Sequence, residues 1–133
     1  MNVLVILRGL PGAGKTSLAK VLGGSTAPVY SIDDYFTDPV TGKYEFRYAE
    51  NHLAYKQCAE NTGSAMRADT PLILLDNAFT IEWEMEPYFK LAAQYNYRVY
   101  VVTVEKRHNG RNIHAVSDEQ LRKMAEKYKV VLY

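Results

Sequence analysis

Residues 9–16 read GLPGAGKT, which sets Gly9, Gly14, Lys15 and Thr16 at the spacing G-x-x-x-x-G-K-S/T. This is the spacing of a phosphate loop. A loop that wraps polyphosphate turns its backbone N–H groups inward, which requires residues without Cβ clashes, and Gly9, Gly12 and Gly14 supply them. A helix starting near Lys15 adds its unpaired amides and the positive end of its dipole, so the anion is bound mostly by backbone. Lys15 then reaches the β and γ phosphates as a point charge, and the Thr16 hydroxyl becomes a ligand of Mg²⁺.

Phosphate loops serve hydrolysis, movement and phosphoryl transfer alike, so the other polar clusters must separate these uses. In SIDDYF, residues 31–36, Asp33 or Asp34 offers the carboxylate that a kinase needs to orient and deprotonate an attacking hydroxyl. Capping of the next turn is the competing use of the pair. LILLDN ends in Asp76, which matches the acidic strand end that helps hold Mg²⁺ or its water shell, and in Asn77; a turn-initiating Asp-Asn pair is the plainer reading. In EKRHNGRNIHAV, residues 105–116, Lys106, Arg107 and Arg111 meet no acidic neighbour until Asp118, the pattern of a lid bringing positive charge to a transferring phosphoryl group. A solvated basic loop is the rival. His108 reads as a surface residue, His114 stays open, and Trp83 reads as packing at a helix entrance.

The elements that position these groups follow from apolar patterning. Val3 to Leu7 is an unbroken strand leading into the loop, and Leu18, Val21 and Leu22 repeat at helical spacing behind it until Gly23 and Gly24. Val29 to Ile32 predicts a second strand, and residues 37–45 a turn-rich loop. A helix is expected from Phe46 to Ala68, with Phe46, Ala49 and Leu53 giving way to Ala54, Cys58 and Met66 as its apolar face. LILL, residues 72–75, is a third strand; Pro87 places the next helix start near Glu84, with Met85, Tyr88, Phe89, Ala92 and Tyr95 facing the core. Arg98 to Val104 is a fourth strand. Ser117 with Gln120 and a Val116–Leu121 staple opens a last helix, and Val130 to Leu132 suits a short edge strand.

Alternating strands and helices imply an α/β fold with a mostly parallel sheet, helices on both faces, a basic lid, and ligands at the carboxyl ends of the strands. The 133 residues are enough for one domain, residues 1–133, and too few for two. Sixteen basic and fifteen acidic residues leave a net charge of +1, so no global field draws the chain to nucleic acid or membrane. With one cysteine, Cys58, and no apolar run of spanning length, a reducing, cytoplasmic setting without membrane contact is expected. Nothing in the sequence fixes an oligomeric state.

RGLPGAGKTSLAK, SIDDYF, YAENH, LILLDNAFTIEWEMEPY and RNIHAVS together resemble, in order, the pattern of polynucleotide-kinase-like P-loop kinases, and most of all the small AAA-labelled P-loop ATPases related to ubiquitin-ligase-binding proteins. WEMEPY and RN-x-H are the most specific pieces. The resemblance implies a kinase-like P-loop NTPase fold, ATP held by Gly12, Ala13, Gly14, Lys15, Thr16 and Ser17, a hydroxyl activated by Asp33, and transition-state charge met by Arg111, with Arg107 beside it in the lid. Two departures from the pattern stand out: Phe36 replaces an arginine that holds a substrate phosphate in polynucleotide 5′-kinases, and Ala78 and Phe79 replace the last two polar residues of a DNTN stretch. Asp33, Asp34, Tyr35, Phe36 and Asn77 are assigned to the acceptor side, with Tyr35, Phe36 and Phe79 able either to stack on a flat group or to pack in the core. The expected activity is Mg²⁺-dependent transfer of the ATP γ-phosphate to a hydroxyl of a nucleic acid or nucleotide, first of all a 5′-hydroxyl. A kinase of a modified base or small metabolite, and a regulatory module that hydrolyses ATP slowly, are the alternatives.

Overall fold

The apolar run Val3–Arg8 forms β1, and its alternating side chains organise both layers of the core. Leu4 and Ile6 point to one face of the sheet and Val5 and Leu7 to the other. The computed structural model describes residues 1–105; the basic loop from Lys106, the helix expected from Ser117 and the strand expected at Val130 to Leu132 lie outside them. The described elements continue with α1 (Lys15–Gly23), β2 (Val29–Tyr30), α2 (Asn51–Arg67), β3 (Leu72–Asn77), α3 (Glu86–Tyr95) and β4 (Arg98–Thr103).

The strands lie in the order β2-β3-β1-β4, and every pairing is parallel. Buried on both faces, β1 and β3 are apolar almost throughout, as parallel strands between helices must be. On one face Leu4, Ile6, Ile73 and Leu75 pack with Cys58 and Met66 of α2 and Tyr88 and Ala92 of α3. On the other, Val5, Leu7 and Leu74 pack with Ala19 of α1. Each such aliphatic side chain contributes about 1.5–3 kcal/mol when fully buried. The loops that follow β1, β2 and β3 therefore leave from the same, carboxyl end of the strands.

Several expected boundaries move. The second strand stops at Tyr30, because Ser31 turns out to cap a 3-10 turn over Ile32–Phe36. The long helix begins at Asn51 and not at Phe46, after a 3-10 turn at Tyr48–Glu50. Phe46 and Leu53 are exposed, and Ala54, Cys58 and Met66 alone carry the expected apolar face. The cause is the segment 36–45, which doubles back: Asp38 N–H donates to the Lys43 carbonyl and Glu45 N–H to the Phe36 carbonyl, so Phe46 arrives against Phe36 with ring centroids 5.0 Å apart. In α1 the buried stripe is Lys15, Ala19 and Gly23, spaced by four, which leaves Val21 and Leu22 exposed. Pro87 does fall in the first turn of α3, and Met85, Tyr88 and Ala92 are buried as the periodicity predicts. Trp83 departs from expectation: it sits in the 3-10 turn before α3 and is 60% exposed.

Candidate functional site

The phosphate loop joins the end of β1 to the start of α1. Gly12 (φ 83°) and Gly14 (φ 105°) occupy the left-handed region, which side chains with a Cβ disfavour, and Gly14 is the N-cap of α1. Gly9 has a different purpose. Its amide donates to the Ala78 carbonyl at 3.2 Å, and a Cβ there would lie 2.6 Å from the Val104 carbonyl oxygen. Contrary to the inward amide expected for phosphate, the Gly9 amide ties the loop to the segment after β3, and glycine is required by the approach of Val104 beyond β4.

Lys15 is buried under the loop, its Nζ donating to the carbonyls of Gly9 at 2.6 Å and Leu10 at 3.2 Å. Burial lowers its pKa from the usual 10.5, and the carboxylates of Asp76 and then Asp33 partly offset that by favouring the charged form. Thr16 and Ser17 are exposed at the helix start. Thr16 Oγ1 donates to Asp76 Oδ2 at 3.0 Å, which joins the loop to the end of β3.

The two aspartates after β2 divide their work. Ser31 N–H donates to Asp34 Oδ2 at 3.0 Å while Asp33 N–H donates to Ser31 Oγ at 3.2 Å, a reciprocal cap that fixes the 3-10 turn. Burial pushes the Asp34 carboxyl above its usual range; the Ser31 amide pulls it back, and Asp33 and Asp76 add to the rise. Asp33 keeps its carboxylate in the cleft, where Oδ1 accepts from Tyr44 Oη at 3.3 Å. Asn77, assigned to the acceptor side from sequence, is buried: Oδ1 accepts from Ile32 N–H at 2.8 Å and from Ser31 Oγ at 3.2 Å. It pins the aspartate turn to β3.

Of the three aromatic residues considered for stacking, two go to the core. Phe36 is 3% and Phe79 1% exposed, the first within a cluster with Tyr35, Tyr44 and Phe46, the second edge-on to Tyr88 with centroids 5.8 Å apart. Tyr35 donates to Glu50 Oε1 at 2.6 Å. Phe79 holds a positive φ of 48°, and its carbonyl accepts from Arg8 Nη2 at 2.9 Å, so the buried arginine that ends β1 anchors the segment after β3.

Lys15, Thr16, Asp33, Asp34, Asp76 and Asn77 line a cleft of about 620 Å³ at the carboxyl ends of the strands, with the Thr16–Asp76 pair beside the phosphate loop. Sequence reasoning missed four other lining residues: Tyr44, Phe46, Tyr55 and Glu84. Tyr55 Oη donates to Glu84 Oε2 at 3.0 Å, and Glu84 Oε1 accepts from Ile81 N–H at 3.1 Å and Thr80 Oγ1 at 3.2 Å. Burial, then the Glu84 charge, raises the Tyr55 phenol well above the usual tyrosine range, with a smaller push from Asp33. Glu84 belongs to WEMEPY, the stretch whose specificity was the available signal. Arg107 and Arg111 lie outside the described residues, so their place relative to the cleft is not part of this geometry.

Mg²⁺ suits the donor set at the loop end. The described residues hold no group of three His, Cys, Asp or Glu side chains fit for a metal, but Mg²⁺ is ordinarily held by one or two protein oxygens together with substrate phosphates and water, and the Thr16 hydroxyl and Asp76 carboxylate are hard oxygens already at hydrogen-bond distance. Among the described residues no helix is long and apolar enough to cross a membrane.

Comparison with known proteins agrees with this architecture. A family model described as an AAA domain matches residues 4–131. The chain is 34% identical over 135 residues to human NEDD4-binding protein 2, covering 95% of this chain and 8% of that protein. It is 30% identical over 156 residues to mouse YLP motif-containing protein 1, covering 97% of this chain and 11% of that one. The chain thus spans about a tenth of the length of these relatives. Among solved structures, the APS kinase CysC of Mycobacterium tuberculosis superposes with a TM-score of 0.57 at 17% identity, covering 95% of this chain and 96% of that one. A sugar kinase from Janibacter gives 0.62 at 13% identity, covering 99% and 80%. The fold is that of the P-loop kinases.

Proposed function

The chain belongs to the AAA domain family, and on that premise we propose that it is an ATP- and Mg²⁺-dependent phosphotransferase acting on an alcohol hydroxyl. The observation that carries this reading is that Asp33 lines the same cleft as Lys15 and Thr16 of the phosphate loop, with its Oδ1 accepting from Tyr44 Oη at 3.3 Å. Its charge favours the ammonium form of Lys15 and adds to the raised pKa values of the Tyr44 and Tyr55 phenols. A carboxylate so placed can take a proton from a hydroxyl that faces the γ-phosphate.

The steps follow from the chain's own groups. The loop amides and Lys15 hold the β and γ phosphates, and Thr16 and Asp76 would hold the metal beside them. When bound, Mg²⁺ neutralises charge on the phosphate oxygens. Asp33 accepts the acceptor's O–H proton, the oxygen bonds to the γ-phosphorus, and the bridging P–O bond breaks to release ADP. Asp34 and Asn77 hold Asp33 in place through Ser31 and Ile32. Arg107 and Arg111 belong to the proposal as lid charges that meet the developing negative charge. The 5′-hydroxyl of a nucleoside unit is the acceptor that SIDDYF and WEMEPY favour by resemblance. A cytoplasmic setting is part of the same proposal, consistent with Cys58 being a buried free thiol.

The test is to incubate the protein with γ-labelled ATP, Mg²⁺ and a panel of nucleosides, 5′-hydroxyl DNA and RNA, and sugars. Label is expected on an acceptor hydroxyl. Label recovered as inorganic phosphate alone, across the panel, would replace the transferase with an ATP-hydrolysing module.

A further inference from the structure

The cleft is chemically lopsided. Among the described residues, its lining carries the carboxylates Asp33, Asp34, Asp76 and Glu84 against one basic side chain, Lys15, which sits at the phosphate-loop end. Glu84 is not free to swing clear: Tyr55 Oη, Thr80 Oγ1 and Ile81 N–H all donate to it, at 3.0, 3.2 and 3.1 Å. The lining also carries aromatic rings held by packing. Tyr44 and Phe46 are each about half exposed, at 48% and 50%, yet both rings pack against buried Phe36, with centroids 6.3 and 5.0 Å away. Arg47 does not supply the missing charge, since its guanidinium lies 5.5 Å from the Phe36 centroid, is ion-paired with Glu50, and is not among the lining residues.

We propose, resting on the phosphotransferase reading above, that the part of the cleft lined by Tyr44, Phe46, Tyr55 and Glu84 is the acceptor subsite, and that it takes a hydroxyl compound with a flat face and no anionic group of its own. The aromatic wall offers contact to a base or to the C–H face of a sugar. The Tyr55–Glu84 pair offers a carboxylate acceptor for a further hydroxyl or amine. A phosphate or carboxylate on the acceptor would stand against the fixed carboxylate of Glu84 and those of Asp33 and Asp34, and like-charge juxtaposition is a means by which a site rejects such partners.

Two matched pairs test this with the whole chain: adenosine against adenosine 3′-monophosphate, and glucose against glucose 1-phosphate, each with γ-labelled ATP and Mg²⁺. The unphosphorylated member of whichever pair is used should have a kcat/KM at least about tenfold higher, and Glu84→Gln should narrow that gap by about threefold or more, on the scale of one charge pair in a partly solvated site. Which pair takes label distinguishes a nucleoside from a sugar acceptor. Equal or better use of the phosphorylated members would overturn the subsite assignment and leave the kinase reading standing. If no acceptor takes label, the kinase reading falls and calorimetric titration of adenosine and adenosine 3′-monophosphate into the protein with AMPPNP and Mg²⁺ decides the subsite. Tighter adenosine binding supports it, and equal or weaker binding refutes it.

Discussion

Thr16 Oγ1 and Asp76 Oδ2 lie 3.0 Å apart although 60 residues separate them in sequence. Parallel pairing of β1 with β3 produces this contact: Arg8 is opposite Asn77, so the loop after β1 and the acidic end of β3 emerge together. Both oxygens are of the kind that Mg²⁺ prefers. Thr16→Val and Asp76→Asn should each raise the Mg²⁺ concentration needed for half-maximal ATP turnover, with helicity by circular dichroism unchanged. A metal dependence identical to the parent's in both variants would remove these residues from the metal site.

Asp33 and Asp34 are adjacent but differ in what binds their carboxylates. Asp33→Asn should lower phosphoryl transfer by about 10² to 10⁴, the range of general-base catalysis, with little change in ATP affinity. Asp34→Ala removes a reciprocal cap and should act on stability instead, by about 0.5–2 kcal/mol in chemical denaturation. Single-turnover kinetics beside a urea titration separates the two. A severe kinetic defect confined to Asp34 variants would reverse the assignment within the pair.

The parts of this site that sequence made legible are those where local chemistry allows few residue types. The left-handed backbone at Gly12 and Gly14 demands glycine, and a parallel strand buried on both faces demands runs such as VLVIL and LILL. The acceptor end was illegible for the opposite reason. Phe46 shares helical spacing with Ala49 and Leu53, but the turn at Asp38–Lys43 sends it back to Phe36, an outcome decided by long-range packing that periodicity does not contain. Asn77 looked like a ligand because it follows Asp76, yet the alternation of β3 turns it inward to the Ile32 amide. Gly9 met the motif for a reason the motif does not state, the nearness of Val104.

Gly9→Ala therefore tests packing and not anion binding. The added methyl would meet the Val104 carbonyl oxygen at 2.6 Å, a backbone atom and not the far end of a flexible side chain. A loss of about 1–3 kcal/mol in stability is expected, the usual cost of overpacking, and nucleotide affinity should fall only as far as the loop is displaced. Unchanged denaturation midpoint in Gly9→Ala would show that the β4 end yields freely.

Lys15 links affinity and stability through its lowered pKa, and the two should respond to pH with opposite signs. Phosphate binding requires the ammonium, so ATP affinity should begin to fall at a pH below the usual lysine value of 10.5, as the free protein loses that proton. Folding behaves the other way: between the lowered native pKa and 10.5 the unfolded chain binds more protons than the native one, and the Lys15 contribution to stability rises with pH. Lys15→Met keeps the buried stem and removes the charge. The difference in unfolding free energy between parent and variant, measured from pH 7 to 10.5, should shift in the parent's favour as pH rises, while the variant binds ATP weakly throughout. A flat difference would mean that the ammonium is not desolvated under the loop, and ATP affinity in Lys15→Met equal to the parent's would remove Lys15 from the phosphate site.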